Sequence, residues 1–238
     1  MTVTASRAGA RGSRRGRRGL RVLANVLIVA GVLLLADAGL TLLWQEPLSA
    51  IYTHVRQGRL SDRLAQLERT PLAPVERRAM DRLPDPSQKL AFAARAYARK
   101  VHAGDPIGRI RLPAAGIDDV MVEGTGTADL RNGPGHYPAT PLPGQRGTVG
   151  IAGHRTTYGA PFRHLDAVKP GDRVELTLPY GVFTYRVERT RIVKPTDVWV
   201  TDRVSFDRLI LSACHPLYSA AKRIVVFAKL ERATARFR

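Results

Sequence analysis

The pattern of hydrophobic and polar positions divides the chain into three parts. Residues 22–44 form a nearly unbroken apolar run. Residues 45–103 place apolar residues three and four positions apart, which is the spacing of a helix face. From about residue 104 the apolar residues fall in short, often alternating runs, which is typical of strands. The pattern predicts one folded domain preceded by accessory segments.

The apolar run predicts a membrane-spanning helix. It is long enough for the about 20 apolar residues that a bilayer core requires. Asp37 is its least favourable residue but lies towards one end, and Trp44 suits a membrane interface. The alternative is a cleaved signal peptide, with the sequence ADA at 36–38 as its cleavage site. Because apolar residues continue through 39–44, we favour an uncleaved anchor over 22–44.

The positive charge of the chain is concentrated at its start. The formal net charge is +18, and residues 1–21 contain no acid but the arginines Arg7, Arg11, Arg14, Arg15, Arg17, Arg18 and Arg21. A basic segment before an apolar run predicts a cytoplasmic tail. Residues 45–238 are then expected outside the cell, attached to the plasma membrane by a single span. This placement argues against nucleic acid as a partner, which the net charge alone would favour.

The part between the apolar run and the strands predicts a helical stalk. Residues 51–68 and 89–104 have helical spacing, and the proline-containing breaks PLAP (71–74) and LPDP (83–86) lie between them. We expect residues 45–103 to lift the folded domain off the membrane, with the last helix packed on that domain.

Residues 104–238 predict an all-β domain. Many short runs without a regular alternation of strands and helices favour a closed β-barrel. Turn sequences such as PLPGQRG and KPGD separate the runs, and one short helical turn is expected within 124–138. The expected strands cover residues 108–113, 119–124, 148–154, 173–179, 183–193, 209–214 and 223–230.

Three residues that can carry acyl-transfer chemistry stand at the ends of expected strands. His154 follows TVGIAG, Cys214 closes LILSAC, and Arg223 opens RIVVFAKL. Cys214 is the only cysteine, and a lone thiol in an exported protein is a candidate nucleophile. The alternative is that Cys214 is a small buried apolar residue and that His154 and Arg223 are structural.

The three residue types have complementary chemistry. A cysteine attacks as its thiolate, which a nearby imidazolium or guanidinium stabilises. A histidine can deliver a proton to a leaving amine, whereas an arginine, always charged, can only bind a carbonyl or oxyanion. His215 is an alternative base to His154, although neighbours on a strand point to opposite faces. Together these types suffice for acyl transfer through a thioester.

Two longer segments around these residues resemble the catalytic segments of sortases, in particular the actinobacterial class E group. They are GPGHYPATPLPGQRGTVGIAGHRTTYGAPF (133–162) and LILSACHPLYSAAKRIVVFAKL (209–230). The resemblance extends over roughly residues 104–232 and includes the order and spacing of the His, Cys and Arg. It implies an eight-stranded β-barrel in which Cys214 is the nucleophile, His154 the acid/base and Arg223 the oxyanion- or substrate-positioning residue.

The resemblance also implies the substrates. Sortases cleave a C-terminal sorting signal after threonine, hold the acyl group on cysteine and pass it to an amine. We therefore expect surface proteins with an LAXTG- or LPXTG-like signal as substrates. The expected acceptor is a peptidoglycan precursor or a lysine of another surface protein, as in pilus assembly. No cofactor or metal is expected, and the sequence has no acidic cluster of the calcium-binding kind.

Residues near the catalytic set are candidates for substrate binding. Arg155, Thr156, Tyr158 and Tyr218 lie close to it in sequence, and binding residues concentrate in loops. Ala213 directly precedes Cys214, where many sortases have threonine. Any contribution of that hydroxyl to oxyanion or substrate binding would be missing here.

Other functions fit parts of the sequence. A hydrolytic cysteine peptidase would pass the same thioester to water, which depends on how well the site excludes water. An L,D-transpeptidase is a weaker alternative, because SACHP lacks the preceding His-Gly and the close Arg of that class. A membrane-tethered barrel that binds anionic wall polymers through its excess arginines would not need Cys214.

Overall fold

A computed structural model describes residues 13–43, 47–70 and 73–237. The first twelve residues of the basic tail, Trp44 and the first two residues of the PLAP break lie outside these ranges. The chain divides into two compact units, one ending at Pro47 and the other beginning at Leu48.

The first unit contains one long helix, α1 (Ser13–Leu43). Its stretch Gly19–Asp37 is long and apolar enough to cross a membrane, and no other helix of the described residues is. Large apolar side chains such as Leu27, Ile28 and Leu35 are more than half exposed on it. An exposed apolar surface of this kind favours an apolar surrounding over water.

Helices and strands follow one another as two blocks in the second unit. The helices are α2 (Pro47–Arg69), α3 (Pro74–Asp81), α4 (Pro86–Ala98) and the single turn α5 (Thr127–Leu130). The strands are β1 (Pro106–Leu112), β2 (Ile117–Glu123), β3 (Gly135–His136), β4 (Thr148–Ala152), β5 (Arg173–Leu178), β6 (Gly181–Val193), β7 (Arg208–His215) and β8 (Lys222–Ala235). Short 3-10 turns occur at Pro113–Ala115, Leu165–Ala167 and Val198–Thr201.

The strands close into a barrel in the order β1-β2-β3-β4-β7-β8-β6-β5. The pairs β2–β3 and β4–β7 are parallel, and the other neighbours are antiparallel. The predicted closed all-β barrel is confirmed, and each of the seven expected strands corresponds to an observed one. The additional strand is β3, which the sequence pattern did not show because two residues cannot display an alternation.

Alternating side chains fill the barrel. Leu176 on β5 pairs with Phe183 on β6, and Val174 pairs with Tyr185, and all four are buried in one continuous apolar cluster. Because successive residues of a strand point to opposite faces, this alternation separates a core face from an outer face. The outer face of β7 and β8 is in turn covered by the chain that follows β6.

Arg208 holds that covering segment in place. Its guanidinium is buried and donates to the carbonyl oxygens of Val200 at 3.0 Å and Asp202 at 2.8 Å. Beneath the segment, Ile210 and Phe227 are fully buried on the outer face of the sheet. Part of the outer face of the sheet is therefore buried in a second, smaller apolar cluster.

Helix α2 packs on the outer face of β2. The side-chain oxygen of Gln57 accepts from the backbone N–H of Val120 at 2.7 Å, and its amide donates to the Val120 carbonyl at 3.1 Å. Leu60 and Leu64 form a buried cluster with Val120 and Val122. The helix thus belongs to the same compact unit as the barrel. The predicted domain boundaries stay a prediction.

Proline and capping residues explain the two shorter helices. Asp85 caps α4, accepting from the backbone N–H of Ser87 at 2.6 Å, and Pro86 follows as its first residue. The helix ends at Ala98, earlier than Gly104, the expected stop. Helix α3 was not predicted, because Pro74 counted there as a break. A proline at the first helical position has no N–H to lose and starts a helix instead.

Replacing Leu64 by alanine is expected to destabilise the unit by about 2–5 kcal/mol, since the deletion leaves a cavity between α2 and β2. Chemical denaturation followed by far-UV circular dichroism measures the loss. Arg59→Ala, on an exposed position of the same helix, is the control and should change stability by less than about 0.5 kcal/mol. Equal stability of the two variants would show that α2 does not pack on β2 in solution.

Candidate active site

The register of two parallel strands brings His154 and Cys214 together. Ala152 on β4 pairs with Ser212 on β7, and the N–H of Gly153 donates to the Ser212 carbonyl at 3.0 Å. His154 lies two residues after Ala152, and Cys214 lies two residues after Ser212. Because neighbouring strands run about 4.8 Å apart, the loop that continues from β4 carries His154 past the same end of the sheet where Cys214 lies.

Arg223 lies on the strand next to that of Cys214. The antiparallel pairing of β7 and β8 places Arg223 directly opposite Cys214. Paired residues share a face of the sheet. The neighbouring pair, Ala213 and Ile224, lies in the barrel core, so Cys214 and Arg223 lie on the outer face, where both are partly exposed. Cys214 and Arg223 thus share one register position on β7 and β8, and His154 lies on the loop that continues from the neighbouring strand β4.

His154 is enclosed but has an available nitrogen. Among the described residues its buried Nε2 has no hydrogen-bond partner, while its Nδ1 lies 3.4 Å from Oγ1 of Thr157. The Tyr158 ring packs against the imidazole, with centroids 5.0 Å apart, and Arg131 lies 5.2 Å above the Tyr158 centroid. Burial, and secondarily the charge of Arg131, lower the pKa of His154 below its ordinary value of 6.5. The imidazole is therefore neutral at pH 7.

Close backbone packing holds the loop that carries His154. The N–H of Phe162 donates to the His154 carbonyl at 3.0 Å, and the Phe162 ring lies against Gly153, where an added Cβ would approach it to 2.7 Å. Farther along, Gly159 has φ +74° and lies against Thr53 of α2, 2.6 Å from where its Cβ would be. Side chains at 153 and 159 would displace the loop, which explains the glycines.

Tyr137 lies on the outer face next to the strand that carries Cys214. Its hydroxyl is 2.8 Å from Oγ of Ser212, and its ring covers Gly150, whose added Cβ would lie 2.6 Å from it. Sequence reasoning missed this residue. The available signal was Gly150, because a glycine inside a strand marks a close approach of another group.

Three of the five residues predicted to bind substrate have accessible side chains. Tyr158 and Thr156 are half-buried on the His154 loop. Tyr218 is 64% exposed in the loop between β7 and β8, and its hydroxyl accepts from Arg163 at 3.5 Å. Tyr158 and Tyr218 both have positive φ, at 52° and 64°, a conformation that stores strain in residues other than glycine.

The other two lie in the interior. Ala213 is buried on the core side of β7, because it alternates with Cys214. Arg155 is buried and bonded to protein groups. Neither side chain is available to a substrate, so the geometry does not support a binding role for them. His215 accepts from Arg155 and pairs with Lys222, one position past Cys214, which favours His154 as the base.

Other ionisable groups in the described part of the chain do not converge on a metal site. His136 and Glu123 form a buried pair between β3 and β2, with Nδ1 and Oε2 2.9 Å apart. Within residues 13–43, 47–70 and 73–237 no three His, Cys, Asp or Glu side chains are grouped so that they could hold a metal ion.

Replacing Tyr158 by alanine is expected to raise the pKa of His154 towards 6.5, because the ring buries the imidazole and positions Arg131 beside it. Because the pKa of His154 is lower in the folded than in the unfolded protein, the stability of the protein falls as the pH drops below 6.5. The variant has a smaller difference between the two pKa values and should therefore lose less stability in acid. NMR titration of labelled histidines measures the shift. Tyr218→Ala is the control, and an identical His154 titration in both variants would contradict the packing argument.

Comparison with known proteins identifies a family that matches most of the barrel. A family model of the sortase domain matches residues 110–231, just over half of the chain. Sortase D of Bacillus subtilis is 34% identical over 134 residues, which cover 55% of this chain and 66% of that protein. Sortase SrtE1 of Streptomyces coelicolor is 26% identical over 143 residues, covering 53% and 41%. The chain thus spans less than two thirds of either relative.

A solved structure extends the similarity to three dimensions. Sortase E from Streptomyces avermitilis is 34% identical, with a TM-score of 0.52, over 56% of this chain and 93% of that one. The residues matched by the family model include His154, Cys214 and Arg223. The chain therefore belongs to the sortase family.

Proposed function

We propose that this chain is a membrane-anchored extracellular sortase. It cleaves a C-terminal LAXTG- or LPXTG-like sorting signal after threonine and transfers the acyl group to an amine. The observation that carries the proposal is that Arg223 stands opposite Cys214 on the outer face of the barrel, with His154 on the loop that continues from the neighbouring strand β4. The family match over the barrel supports the same reaction class.

In the first step Cys214 attacks the carbonyl carbon of the signal's threonine. If Nδ1–H of His154 is donated to Oγ1 of Thr157, the free Nε2 is a base for the Cys214 proton. The carbonyl oxygen becomes an oxyanion, and its collapse breaks the peptide C–N bond. His154 gives its proton to the departing amine, and the acyl group stays on sulfur as a thioester.

In the second step the acceptor amine attacks the thioester. His154 removes a proton from that amine, the C–S bond breaks, and Cys214 leaves as a thiolate while an amide forms. Water in place of the amine would give the free acid, which is the reaction of a hydrolytic peptidase. Transfer to an amine and hydrolysis use the same three residues, His154, Cys214 and Arg223.

Arg223 is arranged to stabilise the oxyanion. Its Nη1 donates to the carbonyl oxygens of Ala220 at 2.9 Å and Lys222 at 3.0 Å, which fixes the guanidinium at the start of β8. A guanidinium has five N–H donors, so others are left for an oxygen bound beside Cys214. A fixed positive charge near the developing oxyanion stabilises the transition state more than the ground state.

The proposal places the barrel outside the cell. The exposed apolar stretch Gly19–Asp37 supports an anchor, and the arginines before it support a cytoplasmic N-terminus. Surface proteins carrying the signal are the proposed substrates. A peptidoglycan precursor or a lysine of another surface protein is the proposed acceptor. We propose domain boundaries at residues 21, 44 and 103.

Quenched fluorescent LAXTG and LPXTG peptides test the function. The full chain in detergent is incubated with each peptide, with and without an amine, beside Cys214→Ala, and the products are identified by mass spectrometry. Cleavage after threonine that the amine converts into an amide, and that the variant lacks, is the expected result. Acid as the product even with amine present would favour the peptidase. No acyl-enzyme on Cys214 with either peptide would contradict the proposed signal.

A further inference from the structure

The arginine that follows His154 is almost completely buried. The Arg155 side chain is 2% exposed, although a guanidinium is among the most costly groups to remove from water. A buried charge of this kind persists when its donors have partners. The partners of Arg155 therefore indicate its purpose.

Arg155 connects three segments of the chain. Its Nη2 contacts Oδ2 of Asp166 at 2.7 Å, in the turn Leu165–Ala167, and its Nε donates to the Arg163 carbonyl at 3.2 Å. Its Nη1 lies 3.0 Å from Nδ1 of His215 at the end of β7. One side chain thus joins the His154 loop, the following turn and the strand that carries Cys214.

The bond to His215 has a defined direction. Arginine can only donate, so Nδ1 of His215 is the acceptor and the ring proton lies on Nε2. His215 directly follows Cys214, as Arg155 directly follows His154. The bridge therefore ties the residue after the proposed acid/base to the residue after the proposed nucleophile, on the face opposite the reaction.

The sheet alone does not hold His154. Strand β4 ends at Ala152, and the N–H of Gly153 makes the last bond to β7 before the chain turns into the loop. Beyond that point the side chain of Arg155 makes a hydrogen bond back to β7, at His215. We infer that Arg155 is a positioning residue, which fixes the His154 imidazole at reaction distance from Cys214 by bonding His215. The inference rests on the proposed function of His154 and Cys214.

Asp166 keeps its negative charge beside Arg155 at neutral pH. Burial raises the pKa of Asp166, but the hydrogen bond and the charge of Arg155 together lower it below its ordinary value. Asp166 therefore stays ionised, and Arg155 keeps a countercharge on the side away from His215. A misplacement of a catalytic group by about 1 Å costs about 100-fold in rate, so loss of the bridge should affect turnover.

Variants of both ends of the bridge test the inference in the full chain. Arg155→Gln and His215→Leu should each lower kcat for peptide cleavage by about 10- to 100-fold with KM changed less than about twofold. His215→Gln keeps a side-chain oxygen as acceptor and should retain most of the activity. The double variant Arg155→Gln/His215→Leu should lose no more than either single variant. Lys169→Gln, at an exposed position shortly after the turn that carries Asp166, is the matched control.

A second readout does not depend on the sorting signal. The pH profile of Cys214 alkylation by iodoacetamide reports whether His154 lies beside the thiol, so Arg155→Gln should change that profile to the one of His154→Ala. If the unmodified chain cleaves no peptide, the proposed function is in question, while alkylation still tests the bridge.

Three results would overturn the inference. One is a raised KM with unchanged kcat in Arg155→Gln, which means substrate binding. The second is additive losses in the double variant. The third is an alkylation profile unaffected by Arg155→Gln. If Arg155→Gln does not fold, the contrast between His215→Leu and His215→Gln decides the question, since only the first removes the acceptor.

Discussion

Arg223→Ala is expected to lower the rate of acyl-enzyme formation by about 100- to 1000-fold, the usual effect of removing one oxyanion donor. Arg223 stands opposite Cys214, and two backbone carbonyls fix its guanidinium. The effect should fall on kcat, because the oxyanion exists only in the transition state and the intermediate. Single-turnover labelling of Cys214 by a sorting-signal peptide, followed by mass spectrometry, measures the rate.

Arg191→Ala is the matched control for that measurement. Arg191 pairs with Val225 on the same face, one alternate position along β8 from Arg223, and is exposed. It carries the same positive charge as Arg223. Equal losses in the two variants would mean that general positive charge, and not a donor placed at the carbonyl oxygen, accelerates the reaction.

Phe162→Ala is expected to destabilise the barrel by about 3–5 kcal/mol, because a fully buried ring is removed from the core. Thermal unfolding followed by circular dichroism should show a midpoint lower by roughly 2–4 °C for each kcal/mol. The ring also lies against Gly153, so the His154 loop loses its support at the same time. The variant should therefore also cleave peptide more slowly at temperatures where it is still folded.

Phe162→Leu separates the two effects. Leucine refills most of the volume, so stability should recover to within about 1.5 kcal/mol of the natural protein. If cleavage is then still slowed, the flat ring against Gly153 is what positions the loop. Phe162→Ala with unchanged stability would show that the ring is not in the core.

Local patterns were enough to predict most of the fold. Strands β5 and β6 alternate so regularly that the burial of Val174, Leu176, Phe183 and Tyr185 follows from the sequence. Strand β3 was not predicted, because it is defined by its pairing with β2 and β4 and its two residues are too few to show an alternating pattern. Helix α3 escaped because a proline both ends and begins helices, and its neighbours do not distinguish the two.

The residues of the candidate site could be proposed from the sequence, but their arrangement could not. The positions of His154, Cys214 and Arg223 at strand ends followed from the sequence. The parallel pairing of β4 with β7, which brings two of them to the same end of the sheet, is a register between distant segments that no local pattern encodes. Arg155 was predicted to be an accessible loop residue that binds substrate. Its burial depends on contacts with Asp166 and His215, which the sequence next to Arg155 does not reveal.

The parallel pairing of β4 and β7 also determines when the nucleophile can become reactive. Strands β5 and β6 lie between β4 and β7 in the chain. The pairing of β4 with β7 therefore joins distant segments and forms as the barrel closes. Contacts between such distant segments form late, because chain entropy opposes them until most of the structure exists. Until the barrel closes, Cys214 is thus a thiol with no base beside it. The acyl-transfer chemistry proposed for it begins only with the completed fold.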